Sequence, residues 1–145
     1  MPSREVPLTL LLGRASRALS ERLTQSIGLD GVTPEHWRVL RLLSDEEGRP
    51  MGWLAEQLGT NPPTLTKLID RMVGQSFVLR GADPLDSRRV LVYITDTGLA
   101  ILDGLQVSMD RHESSLTGLL GERNARILEG LLVQLIEGGR DARAR

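Results

Sequence analysis

The chain has 145 residues, 40% of them hydrophobic and 26% charged, with a net charge of −1 at neutral pH. That length supports one domain with its own core and excludes two large independent ones. The absence of cysteine excludes disulfides, thiolate metal sites and thiol redox sensing, and an aromatic content of 3% leaves the core to Leu, Val, Ile, Ala and Met, which favours helices.

Leu8, Leu11, Leu12, Ala15, Ala18, Leu19 and Leu23 recur at three- and four-residue spacing and predict a first helix of about five turns. Gly28 and the pair Asp30–Gly31 end it. Thr33–Pro34 starts a second helix, with a capping hydroxyl followed by proline at the first helical position. Trp37, Leu40 and Leu43 give its period, and the stretch from Asp45 to Gly48 ends it. Met51, Leu54, Ala55 and Leu58 predict a short third helix closed by Gly59, and Leu65, Leu68, Ile69 and Met72 repeat the same spacing in a fourth. Pro62 and Pro63 are tolerable only in the first turn of that fourth helix. Two short amphipathic helices joined by a tight glycine-containing turn have the form of a helix-turn-helix, with the second helix over residues 61–73.

Beyond it the period changes. Residues 77–80 and 89–94 are rich in β-formers, and residues 81–88 between them are polar, which predicts a two-stranded hairpin with a long loop. Thr95 and Asp96 cap a fifth helix carrying Leu99, Leu102, Leu105 and Met109, and a sixth spans roughly 122–137 with Leu128, Leu131, Leu132 and Leu135 on one face. The tail from Gly138 onward reads as frayed.

On a helical wheel centred on Leu65, Leu68, Ile69 and Met72 fall within about 60 degrees, while Pro63, Lys67, Asp70 and Arg71 face away, flanked by Thr64 and Thr66. Such an outer face suits a helix laid in a major groove, with hydroxyls and Lys67 reaching base edges and Arg71 reaching phosphate. An ordinary solvated helix presents the same polarity, so the hairpin matters. It carries Arg88 and Arg89, with Arg80 on the opposite strand, and a guanidinium on a projecting loop can enter a narrow minor groove. Asp86 is placed to orient Arg88 by a charge-assisted hydrogen bond. Residues 60–95 hold five basic against three acidic side chains, a local positive excess in a chain that is negative as a whole.

The element order and two motifs, residues 58–72 (LGTNPPTLTKLIDRM) and 83–98 (DPLDSRRVLVYITDTG), resemble the multiple-antibiotic-resistance regulator (MarR) family. The resemblance covers nearly the whole chain. It implies a mainly α fold with a small β-hairpin wing: a winged helix-turn-helix with N- and C-terminal dimerisation helices. It further implies a homodimeric transcription regulator, usually a repressor, that binds a pseudo-palindromic double-stranded DNA operator and is released by a small aromatic or anionic effector. Expected regions are residues 1–32 for dimerisation, 33–98 for DNA binding and 99–145 for dimerisation. Expected DNA-binding residues are Asn61, Thr64, Thr66, Lys67, Arg71, Arg80, Asp86, Arg88 and Arg89. Arg14, Trp37, Trp53, Met109 and His112 are effector-pocket candidates. The sequence departs from the family pattern at three positions: Ser76 replaces the usual glycine between reading helix and wing, Pro63 replaces a small hydroxyl residue, and Ser87 replaces an arginine.

No nucleophile–base pairing, phosphate loop or metal-ligand spacing is present, so neither an enzyme nor a bound cofactor is expected. The carboxylate run Asp45–Glu46–Glu47 sits at a helix end, where solvated acids are common, and the two histidines, His36 and His112, are far apart. The apolar run over residues 8–12 is too short for a secretory signal or a membrane span, which makes the cytoplasm the expected compartment. The competing function is a winged-helix module that binds protein instead of DNA, a reading prompted by the near-neutral charge and by Ser87.

Overall fold

Proline, glycine and capping side chains set the helix ends in this chain, for which a computed structural model describes residues 5–144. The first helix, α1 (Leu8–Ile27), stops at Gly28, whose left-handed conformation closes the last turn. In α2 (Pro34–Leu42), the Thr33 hydroxyl accepts the His36 backbone N–H, and the His36 ring accepts the Thr33 N–H in return, a reciprocal capping box. A two-residue strand, β1 (Arg49–Pro50), leads into α3 (Met51–Leu58), which Gly59 ends. The reading helix α4 (Pro62–Gly74) begins at Asn61, whose Oδ1 accepts the Thr64 N–H at 2.9 Å. Two strands follow, β2 (Val78–Asp83) and β3 (Asp86–Ile94), then α5 (Asp96–Leu120) and α6 (Glu122–Arg143).

The strands form one antiparallel sheet in the order β1-β3-β2. Behind it, α2, α3 and α4 close a core in which Val39, Leu40, Leu43, Leu54, Leu65, Ile69, Met72 and Val92 have no exposure. Burying a side chain of this size contributes about 2 kcal/mol each, and this apolar wedge holds the reading helix against the sheet. Gly98 lets α5 start close to the wing base: a Cβ there would come within 2.4 Å of the Phe77 carbonyl. The Thr95 hydroxyl completes that corner, donating to the Ser76 carbonyl at 2.6 Å while accepting the Gly98 N–H at 3.0 Å.

The chain divides into two compact units, one ending at Val107 and the other starting at Ser108, so the boundary falls inside α5. The second unit contains the rest of α5 and all of α6. Not one residue of the 22-residue α6 is buried. On α1 only Leu23 and Ile27 are buried, while Leu8, Leu11, Leu12 and Leu19 are exposed.

Four sequence expectations are corrected. The wing has no long loop over residues 81–88: β2 and β3 extend to Asp83 and Asp86, leaving Pro84 and Leu85 as the turn. The ladder and two carboxylates tighten it, because Asp83 Oδ1 accepts the Leu85 N–H and Asp86 Oδ1 the Arg88 N–H. The hairpin is joined by β1, which is too short to display a period and takes Pro50 at the sheet edge. The second helix ends at Leu42, before the acidic run, because Leu43 caps it and Glu46 is left-handed. The last helix continues through Gly138 and Gly139 to Arg143. Propagation adds a hydrogen bond per residue, and Arg140 and Arg143 complement the negative end of the helix dipole.

Candidate nucleic-acid interface

The inner face of α4 is fixed by Leu65, Leu68, Ile69 and Met72, all buried, and this fixes what faces outward. Thr64, Thr66, Lys67, Asp70 and Arg71 are exposed, as the wheel predicts. Asn61 is the N-cap, so its carbonyl oxygen is already engaged in holding the first turn. The Thr66 hydroxyl donates to the Pro62 carbonyl at 3.0 Å and retains its acceptor lone pairs toward solvent.

Reading helix and wing are joined by an ion pair. Arg80 Nη2 on β2 donates to Asp70 Oδ1 on α4 at 2.6 Å. An exposed pair adds only about 0–1 kcal/mol to stability; the apolar core sets the pose of the two elements, and the pair ties Arg80 to a carboxylate on the outer face of α4. In the sequence Arg80 reads as an independent cation and Asp70 as outer-face polarity. The pairing spans ten residues and two kinds of secondary structure, so no local period encodes it.

At the wing tip the register slips. Ala82 pairs with Val90, but the next pair is Asp83 with Asp86. Ser87, Arg88 and Arg89 on β3 therefore have no counterpart on β2, and the strand bulges where both tip arginines sit. Asp86 Oδ1 accepts from both the backbone N–H and the Nε of Arg88, at 3.1 and 3.2 Å, as expected for an orienting carboxylate. The Arg88 side chain is still 90% exposed. Its charge is aimed but not covered, and Arg89 beside it is also exposed.

Ser76, between reading helix and wing, has φ 62. The backbone thus takes the left-handed conformation that glycine adopts without penalty, and serine takes it at a cost of about 1 kcal/mol. The departure noted in the sequence is a point of real strain.

The effector candidates are distributed differently. Arg14 is exposed on α1, and Trp37 is half-buried on α2. Trp53 lies under the Arg49 guanidinium, 4.8 Å from the ring centroid. Met109 and His112 are both buried on α5, in the second unit. None of these five lines the open cleft of about 480 Å³ bounded by Gly31, Thr33, Glu35, His36, Leu68, Arg71 and Gln75. The acidic run is tied up locally, since Asp45 and Glu47 both pair with Arg49. Among the described residues no group of three or more His, Asp or Glu side chains is placed to hold a metal ion, and no helix is long and apolar enough to cross a membrane.

The sequence model of the MarR family matches residues 32–90, the span from α2 through the wing. The transcriptional repressor CouR, solved on a 23-mer DNA duplex, is 30% identical, with a TM-score of 0.78 over 89% of this chain and 92% of that one. The chain belongs to the MarR family. It is a DNA-binding transcription regulator with the winged helix-turn-helix fold. CouR bound to p-coumaroyl-CoA is 28% identical, with a TM-score of 0.77 over 89% and 91% of the two chains. A mutant of MarR from Escherichia coli, complexed with operator DNA, is 26% identical with a TM-score of 0.79 over 90% and 94%. The HTH-type transcriptional regulator FarR of Neisseria gonorrhoeae is 25% identical over 92% of this chain and 91% of its own length.

Proposed function

We propose that this MarR-family protein is a cytoplasmic homodimeric repressor, with no cofactor and no catalytic step, that two reading heads seat on a pseudo-palindromic operator. In this reading Thr64, Thr66 and Lys67 meet base edges in the major groove, while Arg71 and Arg80 neutralise phosphates. Arg88 and Arg89 enter the adjoining minor groove. Asn61 sets the first turn of the reading helix and Asp86 aims Arg88. The observation that supports the reading is the Asp70–Arg80 pair, which links the exposed face of α4 to the wing strand that leads to the arginine-bearing bulge.

Dimerisation is supported by the apolar stripes left uncovered on α1 and α6, which include Leu8, Leu11, Leu128, Leu131 and Leu135. Residues 1–32 and 99–145 are then the dimerisation parts, and residues 33–98 the DNA-binding part. A two-fold axis between two copies sets the heads about one turn of DNA apart, or a multiple of it. Release by a small aromatic or anionic compound is supported by CouR, solved both on DNA and with p-coumaroyl-CoA. Arg14, Trp37, Trp53, Met109 and His112 are the side chains assigned to that response.

Selection of bound genomic fragments by the purified protein tests this. The expected result is enrichment of one inverted repeat whose half-sites lie about a helical turn apart. No enrichment even at low salt overturns it and favours a protein-binding winged helix.

A further inference from the structure

The edge of the reading helix away from Asp70 and the wing is also held, by the turn between α1 and α2. Gln75 Nε2 donates to the Gly31 carbonyl at 3.1 Å, bridging 44 positions of sequence. Gly31 has φ 79, which suits glycine and exposes its carbonyl to this bond. His36 meets the same turn from inside. It is 6% exposed, and its Nδ1 accepts the Thr33 backbone N–H at 3.2 Å. The ring stands edge-on to Phe77, with centroids 5.7 Å apart and planes at 81°. Phe77 immediately precedes the first wing strand, so one imidazole touches the α1–α2 turn, the cap of α2 and the root of the wing.

An Nδ1 that accepts a hydrogen bond carries no proton, so the arrangement requires neutral imidazole. Protonation turns Nδ1 into a donor facing the Thr33 N–H, and two donors repel. We propose that His36 is a positioning residue for operator binding: in its neutral form it locks the turn over residues 28–33 onto the reading helix, and protonation opens the lock. The inference rests on the DNA-binding function stated above.

Burial is the main reason the ring resists protonation, and it holds the His36 pKa below 6.5. The charged groups acting on the ring from the packed elements are Arg71 on α4, which also lowers it, and Glu35 on α2, which raises it, as does the Gly31 backbone. The folded value is depressed, so the unfolded chain binds the proton first. The stabilisation is complete above pH 6.5 and is lost as the pH falls from there through the folded value. Arg71 lies in the last turn of α4 and Gln75 is its C-cap, so loosening the turn releases the end of the reading helix nearest the wing root.

The test compares the operator affinity of the full-length wild type and of His36→Gln at constant ionic strength, by fluorescence anisotropy on the selected inverted repeat, from about pH 8 to about pH 5.5. Glutamine at this position supplies the capping acceptor but does not titrate. The two proteins are expected to match at the upper pH, and the wild type to lose at least about threefold more affinity than the variant at the lower one. Parallel profiles overturn the inference, whereas failure of the DNA-binding reading would show earlier, as no enriched sequence. Gln75→Ala removes the bond to the Gly31 carbonyl at an exposed position, and about threefold weaker binding is expected at every pH. Unchanged affinity in that variant removes the lock. Should His36→Gln not fold, the wild type decides: the Thr33 amide resonance must titrate with the same midpoint as the affinity, and unrelated midpoints overturn the proposal.

Discussion

The reading head and the last helix follow the same sequence rule and end in opposite states. In α4 the apolar residues at positions 65, 68, 69 and 72 are buried against α2, α3 and the sheet. In α6, Leu128, Leu131, Leu132 and Leu135 repeat that spacing, yet they are 39–53% exposed. A helical period states that a face needs cover and is silent on what supplies it. The head covers its own faces through short connections, whereas α6 presents a stripe that a second copy of the chain can bury.

The largest test of that contrast is Leu131→Asp combined with Leu135→Asp. The expected outcome is a monomer by sedimentation whose far-ultraviolet circular dichroism keeps the signature of the head. Affinity for the full operator should fall by about 100-fold or more, since linking two heads raises avidity by that order. A variant that stays dimeric shows that the α6 stripe is not the interface.

The same contrast explains what the sequence makes legible. Helix ends in the head are written in single residues with strong local preferences: Thr33–Pro34, Gly59, Asn61 before two prolines, and Thr95. Each makes the cap or turn that its chemistry favours. The aim of Arg88 by Asp86 is legible for the same reason, being a contact over two residues. Contacts between distant positions are not legible in this way. The Asp70–Arg80 pair, the Gln75–Gly31 bond and the pairing of β1 with β3 depend on how finished elements meet. The length of α6 escaped too, because Gly138–Gly139 reads locally as an end while helix propagation carries through it. His36 did leave a signal. A polar side chain three residues after Thr33 occupies the reciprocal position of a capping box, although the residue found there more often is Glu or Gln.

Within the head, the wing and the reading helix are distinguished by Arg88→Ala. The Arg88 side chain is 90% exposed and pairs with Asp86 at the surface, so the melting temperature should hold. Operator affinity should drop about tenfold, and the slope of log affinity against log salt should fall by about 0.9, the loss of one counterion-releasing contact. Unchanged affinity and slope mean that the wing arginine does not reach DNA. A lost slope with unchanged sequence preference assigns it to phosphate instead of the groove floor.

The smallest expected effect separates strain from contact at the junction of the two elements. Ser76 holds φ 62 while its carbonyl accepts the Thr95 hydroxyl at 2.6 Å. That hydrogen bond uses backbone atoms of residue 76, so glycine keeps it and removes the steric cost of a Cβ in the left-handed region. Glycine also gives the unfolded chain more freedom, which offsets part of the gain. Ser76→Gly should therefore stabilise the protein by about 0.5–1 kcal/mol, read as a higher urea midpoint with an unchanged m-value. A lower midpoint would mean that the serine hydroxyl contributes more than its backbone costs. A raised midpoint with weakened operator binding would mean that the strain itself serves to set the angle between reading helix and wing.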